Sequence, residues 1–236
     1  MIAKDQNIAL LTVGNAALTN PDWTEYANYC FAREKGLRKD AFKHLDNFLQ
    51  ATRNLSNDQK IEFIKFLFPY FETVEEADYG PFPQPLSERL VKCTLEYWCE
   101  NETKDERPFR WYGTYYRSED HLFKALELNP KDDIARQRLL TWWTYNLYYS
   151  IHHLPEGYIG NPSDDLELAK KVRYHIDQLS DQNLKKKWSR ELEEDLELVQ
   201  NYIKWEQSGH PDLEQWGKEN NKNVSYGLTR TYYYNK

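Results

Sequence analysis

An all-α fold around a buried central helix is predicted by three observations. Glycine is scarce, 9 in 236 residues, roughly 4% against a usual ~7%. Runs of β-branched residues, which favour strands, are nearly absent. Helix-start signals recur down the whole chain, each followed by apolar residues at helical spacing. Aromatics complete the case for a folded chain. Trp 8, Tyr 18 and Phe 10 supply large buried rings that a disordered sequence lacks.

The elements follow in order. The apolar stretch Ile8 to Leu18 reads as a docked first helix, with a weak secretion signal as the alternative. Asn20-Pro21 is a cap followed by proline at the first helical position, opening a segment to about Phe31. Ser56-Asn57-Asp58-Gln59 is a capping box ahead of the stripe Ile61, Ile64, Leu67 and Phe68. Thr73-Val74-Glu75-Glu76 repeats the box signal. The stretch from Tyr79 to Pro85 carries three prolines and reads as an extended connector. From Asp133 to His153, apolar residues lie on nearly every side, which predicts the buried hub. Leu154 to Pro162 is a second break, with two glycines and two prolines. Asn161-Pro162 then starts a helix with Asp164 and Asp165 in its first turn, where the macrodipole favours them. Ser180 is expected to cap the next helix. There Trp188, Leu192, Leu196, Val199 and Ile203 form one stripe, and Glu191, Glu194, Glu197 and Asn201 lie away from it. Gly209 and Pro211 end it. Residues 1–216 therefore read as a single helical domain with a sub-boundary at 79–85. Residues 217–236, ending in Tyr232-Tyr233-Tyr234, read as an aromatic, basic tail.

Charge and cysteines narrow the function classes. A net charge of −7 argues against nucleic acid, which wants a basic face. The run Lys185 to Lys187 is cancelled by the acidic residues that follow it. Cys30, Cys93 and Cys99 are odd in number with no CxxC pair, which fits a reducing, cytoplasmic setting. No run approaches the ~18 apolar residues that a membrane span needs.

Two segments resemble the tetratricopeptide repeat family. In the first, Gly36, Ala41, Leu45 and Phe48 occupy the places of turn glycine, small residue and two bulky ones. In the second, Ser118, Leu122, Ala125 and Pro130 match, within Ala125-Leu126-Glu127-Leu128-Asn129-Pro130. Small residues let paired helices approach, and the proline turns the chain into the next hairpin. Pro108 and the interval from Ala41 to Ser118 depart from the family pattern, and the likeness covers about a third of the chain. The resemblance implies stacked hairpins, a protein- or peptide-binding groove and no enzyme.

Chemistry-bearing clusters are few. Arg110, Trp111, Tyr112, Tyr115 and Arg117 pair rings one helical turn apart among arginines, the composition of a binding hot spot. One of the two ring stripes must pack inward. Tyr158, in the second break, joins these candidate binding residues. His152, His153 and Glu156 could bind metal or move protons, but Pro155 spoils the helical alignment, and capping of the last helix carbonyls explains the histidines equally. Gly157 and Gly160 lack the Lys-Ser or Lys-Thr of a phosphate loop. No hydrolase, dinucleotide or zinc signature occurs, and no cofactor is expected. The expectation is a non-catalytic helical protein that binds a protein or peptide. The alternatives are an acidic immunity protein that neutralises a toxin, an enzyme or metal binder at the histidine corner, and a self-associating subunit.

Overall fold

The computed structural model describes residues 2–70, 72, 83–102 and 104–226, with side chains from Leu10 onward. Helices dominate, and no strand occurs among the described residues. None of the helices is long and apolar enough to cross a membrane, among the described residues. The chain divides into two compact units, Met1–Leu128 and Asn129–Lys236. The division falls within the Ala125–Pro130 motif.

The first unit holds α1 (Ile2–Ala17), α2 (Thr24–Glu34), α3 (Arg38–Ala51), α4 (Asn57–Leu67), the short α5 (Gln84–Leu86), α6 (Lys92–Asn101), α7 (Arg107–Tyr116) and α8 (Glu119–Leu128). Each longer helix packs on a neighbour: α1 on α2, α2 on α3, α4 on α6, α6 on α7 and α7 on α8. The caps work as their sequences require. Asn20 accepts from the Asp22 N–H and opens a 3-10 turn before α2. Ser56 and Gln59 make both bonds of the capping box at α4. Gly36 takes φ +74° in the turn before α3, a conformation that costs side-chain-bearing residues energy. Ala41, Leu45 and Phe48 are all buried.

Two expectations in this unit are corrected or set aside. Gln84 and Pro85 are helical, not extended, because proline is tolerated at a helix start, where its missing N–H is no loss. The second capping-box signal at Thr73–Glu76 and most of the 79–85 connector lie outside the described residues. The core is a chain of rings. Trp23, Tyr26, Phe48 and Phe63 meet edge-on or tilted, and Phe68 stacks on Trp111 at 4.7 Å between centroids.

The second unit holds α9 (Asp133–Ile151), α10 (Pro162–Asp177), α11 (Gln182–Ser208) and α12 (Leu213–Asn220). Helices α9, α10 and α11 pack on one another, and α12 packs on α11. Asn161 caps α10, and Gly209 ends α11 in the left-handed region at φ +68°. Asp181, not Ser180, caps α11. Ser180 is held instead by the Asp133 carboxylate, which accepts from its N–H and hydroxyl and from the Asp181 N–H.

Three further differences are physical. Helix α9 is not a buried hub: Leu139, Leu140, Trp143, Leu147 and Ile151 turn inward, while Tyr145 and Tyr149 face water. Asn201 is buried, 2% exposed, because its amide donates to the Asn223 carbonyl at 2.8 Å. Gly217 belongs to α12 rather than to a tail, and the chain continues as a strap. Val224 of that strap packs so close to Gly217 that a Cβ there would lie 2.6 Å from a Val224 methyl. Residues 227–236, including the three tyrosines, lie outside the described residues.

Candidate functional site

Helix α7 carries most of the candidate binding residues, and its own amphipathicity sorts them. Pro108 sits in the first turn, where its missing N–H costs nothing. Trp111 points inward and is 2% exposed, stacked on Phe68 and edge-on to Trp98. Its indole N–H donates to the Glu72 carboxylate at 2.7 Å, and Arg110 Nε donates to the same oxygen at 2.6 Å. Arg110 is buried with it. Removing one member would strand the other charge in the interior, at about 3–5 kcal/mol. Both side chains are therefore consumed by the fold and present no surface to a partner.

Tyr115 is half-buried, edge-on to Phe68. The opposite stripe is Tyr112 and Tyr116, tilted rings 4.9 Å apart. Tyr112 donates to Glu96 at 3.1 Å and lies 4.3 Å from the His121 ring. Burial and the Glu96 carboxylate raise its hydroxyl above the usual phenol range. Arg117, at the left-handed C-cap of α7, is exposed. The structure brings this sequence cluster together as a helix with one face in the core and a half-covered polar edge.

Tyr158 lies in the second unit, apart from that cluster. Its hydroxyl donates to Asp165 at 2.6 Å and its ring lies tilted against Tyr202, 4.6 Å between centroids. Burial and the Asp165 charge raise its pKa. It fastens the loop before α10 to α11.

The histidine corner follows α9. His152 Nδ1 lies 2.8 Å from the Tyr149 carbonyl, close enough to cap the helix end, and the His152 and His153 rings are 4.1 Å apart. Glu156 is exposed, in the turn beyond. No group of three His, Cys, Asp or Glu side chains converges as a metal-holding set among the described residues.

A different surface emerges on the outer side of α9. Tyr145 is 61% exposed and Tyr149 is 52% exposed, one turn apart, with exposed His153 in the turn that follows. Tyr148 stands beside them and meets Tyr226 of the strap edge-on at 5.1 Å. The Tyr226 N–H donates to the Leu154 carbonyl at 3.4 Å. Its hydroxyl pKa is raised by burial and by the charges of Asp195, Tyr148, Glu194 and Glu191. Asp195 is itself pushed up to about 7 by burial and by its two glutamate neighbours. The surface is thus a row of tyrosine rings, with the charges of Glu191 and Glu194 reaching Tyr226 at its strap end.

No family of known proteins, curated protein or solved structure matches this chain.

The tyrosine row is invisible to a count that treats Tyr as apolar. The signal was present all the same. Tyr145 and Tyr149 lie two residues after Trp143 and Leu147, about 200° further round the helix, which puts them on the opposite face.

Proposed function

We propose that this chain is a non-catalytic binding protein, with hairpins of the tetratricopeptide kind, that takes a basic protein segment on the tyrosine row of α9. The exposure of Tyr145 and Tyr149 one turn apart carries this reading. Exposed large rings are uncommon, and tyrosine gives contact area at low entropic cost, which is why it recurs at hot spots. The carboxylates of Glu191 and Glu194, whose charges reach Tyr226, select the partner's chemistry. Lysine and arginine can lie over tyrosine faces while pairing with those carboxylates. A toxin-neutralising immunity role is the same reading with a basic toxin as the partner.

The test is capture of a partner by the purified protein, followed by identification and salt titration. The expected partner segment is rich in lysine and arginine, its binding weakens as salt rises, and Tyr145→Ala with Tyr149→Ala abolishes capture. Arg117→Glu, on the α7 edge, leaves capture intact. An acidic partner, or capture that survives loss of both tyrosines, overturns the reading. Arg110→Glu has no place in this test, since it would set two carboxylates against each other in the interior.

A further inference from the structure

The first unit contains a cavity of about 320 Å³ whose wall carries three cations and no acid. It lies where the end of α3, the 3-10 turn Thr52–Asn54, the first turn of α4 and the segment Ser87–Thr94 meet. In a chain of net charge −7, such a local excess of positive charge is unexpected on composition alone. We propose that Arg53, Lys60 and Arg89 bind a small phosphate-bearing molecule here.

Three features support the chemistry. The cations come from three different elements, so their convergence is a property of the fold and not of a basic run in the sequence. Arg53 and Lys60 make no ion pair with any of the described residues, while Arg89 gives one guanidinium nitrogen to Asp46 at 3.0 Å and keeps others for a ligand. The α4 N-terminus adds to the field. Its capping box engages the Gln59 N–H, whereas the Asn57 and Asp58 N–H groups precede the first helical acceptors and keep the positive end of the dipole at the wall.

The wall also sets the ligand's size. Leu49 and Leu90 contribute apolar surface, and the volume lies at the small end of ligand sites, which run from about 300 Å³ upward. A phosphate monoester with a small organic part satisfies both the charge and the volume. The Ser87–Val91 turn that supplies Arg89 and Leu90 is π-helical, a wide, strained form that concentrates at functional sites. The proposal uses none of the residues of the α9 tyrosine row.

Cys93 provides the reporter. It lies exposed on the cavity wall, whereas burial pushes the thiols of Cys30 and Cys99 up to about 12, which keeps them protonated and slow to react. Iodoacetamide should therefore modify Cys93 first, as read by peptide mass spectrometry. Inorganic phosphate and a sugar monophosphate are each added, against sodium chloride at the same ionic strength. The expected result is slower Cys93 alkylation with at least one phosphate, and a calorimetric affinity that Arg53→Gln with Lys60→Gln lowers by about tenfold per side chain removed. The arms separate a site for the free anion from one for a phosphorylated metabolite. Both side chains reach toward solvent, so the double variant should keep the wild-type circular-dichroism spectrum. Equal alkylation in phosphate and chloride overturns the proposal, as does an unchanged affinity in the double variant. The alkylation comparison on the unaltered protein decides the matter even if the variant misfolds.

Discussion

The two units solve the same problem, a helical core in a chain poor in aliphatic residues, by different means. Residues 1–128 bury ring against ring in two groups, Trp23, Tyr26, Phe48 and Phe63 in one and Phe68, Trp98 and Trp111 in the other, within one hydrophobic core. Among the described residues, its buried polar side chains are Thr52, Thr94 and Arg110, and both threonine hydroxyls donate to carbonyls in their own helical segments. Residues 129–236 bury Asp132, Arg136, Ser150, Asp165, His175 and Asn201. Two of them bond between distant segments, Arg136 to the His175 ring and Asn201 to Asn223, while Asp165 accepts from Tyr158 in the preceding loop and Ser150 donates to the Asn146 carbonyl in its own helix. Ring packing is non-directional and insensitive to pH. A core held by polar bonds is specific, because each bond fixes the position of both partners.

The largest expected effect is at the centre of the ring core. Trp111→Ala removes the stack on Phe68, the contact with Trp98 and the hydrogen bond to Glu72. It should destabilise the first unit by about 3–5 kcal/mol. Hydrogen exchange read by mass spectrometry should show faster exchange in α4, α6 and α7. A loss under 1 kcal/mol would mean that the aromatic interior is not the source of stability.

Tight glycines sharpen the comparison. In the first unit, a Cβ on Gly113 would lie 2.7 Å from Leu122 Cγ and 3.0 Å from the Leu122 backbone nitrogen, so α7 and α8 touch backbone to backbone. Gly113→Ala must push the helices apart, at about 1–3 kcal/mol. In the second unit, the atoms nearest a Cβ on Gly217 belong to the strap, the Val224 methyls and the Lys222 carbonyl. Gly217→Ala should cost less, because the strap can lift while three helices stay packed. The readout is limited proteolysis, with new cleavage after Lys222 in Gly217→Ala and none between α7 and α8. Equal loss of stability in both variants would erase the distinction.

Much of this was legible in the sequence, and the failures share one cause. Caps at Asn20, Ser56 and Asn161 depend on neighbours within three residues, so local pattern suffices. The Ala41, Leu45 and Phe48 stripe is likewise a matter of period. What escaped required partners far along the chain. Asp181 caps α11 while Ser180 is held by Asp133, 47 residues away, and Asn201 is drawn inward by Asn223. Tyr145 and Tyr149 lie within the Asp133–His153 stretch expected to be buried, yet a ring with a polar tip is at home on either side of a helix. The candidate pair Arg110 and Trp111 looked like a recognition surface, yet Glu72, 38 and 39 residues upstream, draws both into the fold.

The finest contrast between the units lies in pH. Asp195 sits on α11 near the strap, its pKa pushed up to about 7 by burial first and then by Glu191 and Glu194. The folded form therefore holds a proton that the unfolded chain releases near pH 4. By linkage, stability is fullest below the unfolded value and declines as pH rises from about 4 through 7. Because part of the carboxyl faces water, the change is about 1 kcal/mol, well below the full equivalent of the displacement. Glu25 and Asp105 in the first unit, and Asp133 in the second, have lowered pKa values. Their contributions are lost only as pH falls below the ordinary carboxylate range, so they do not obscure this window. Urea unfolding at pH 5 and pH 8, followed by exchange in residues 129–226, should show the second unit weaker at the higher pH. Asp195→Asn should flatten that dependence, since a neutral amide has no proton to lose. If the slope persists in the amide variant, a group other than Asp195 controls it.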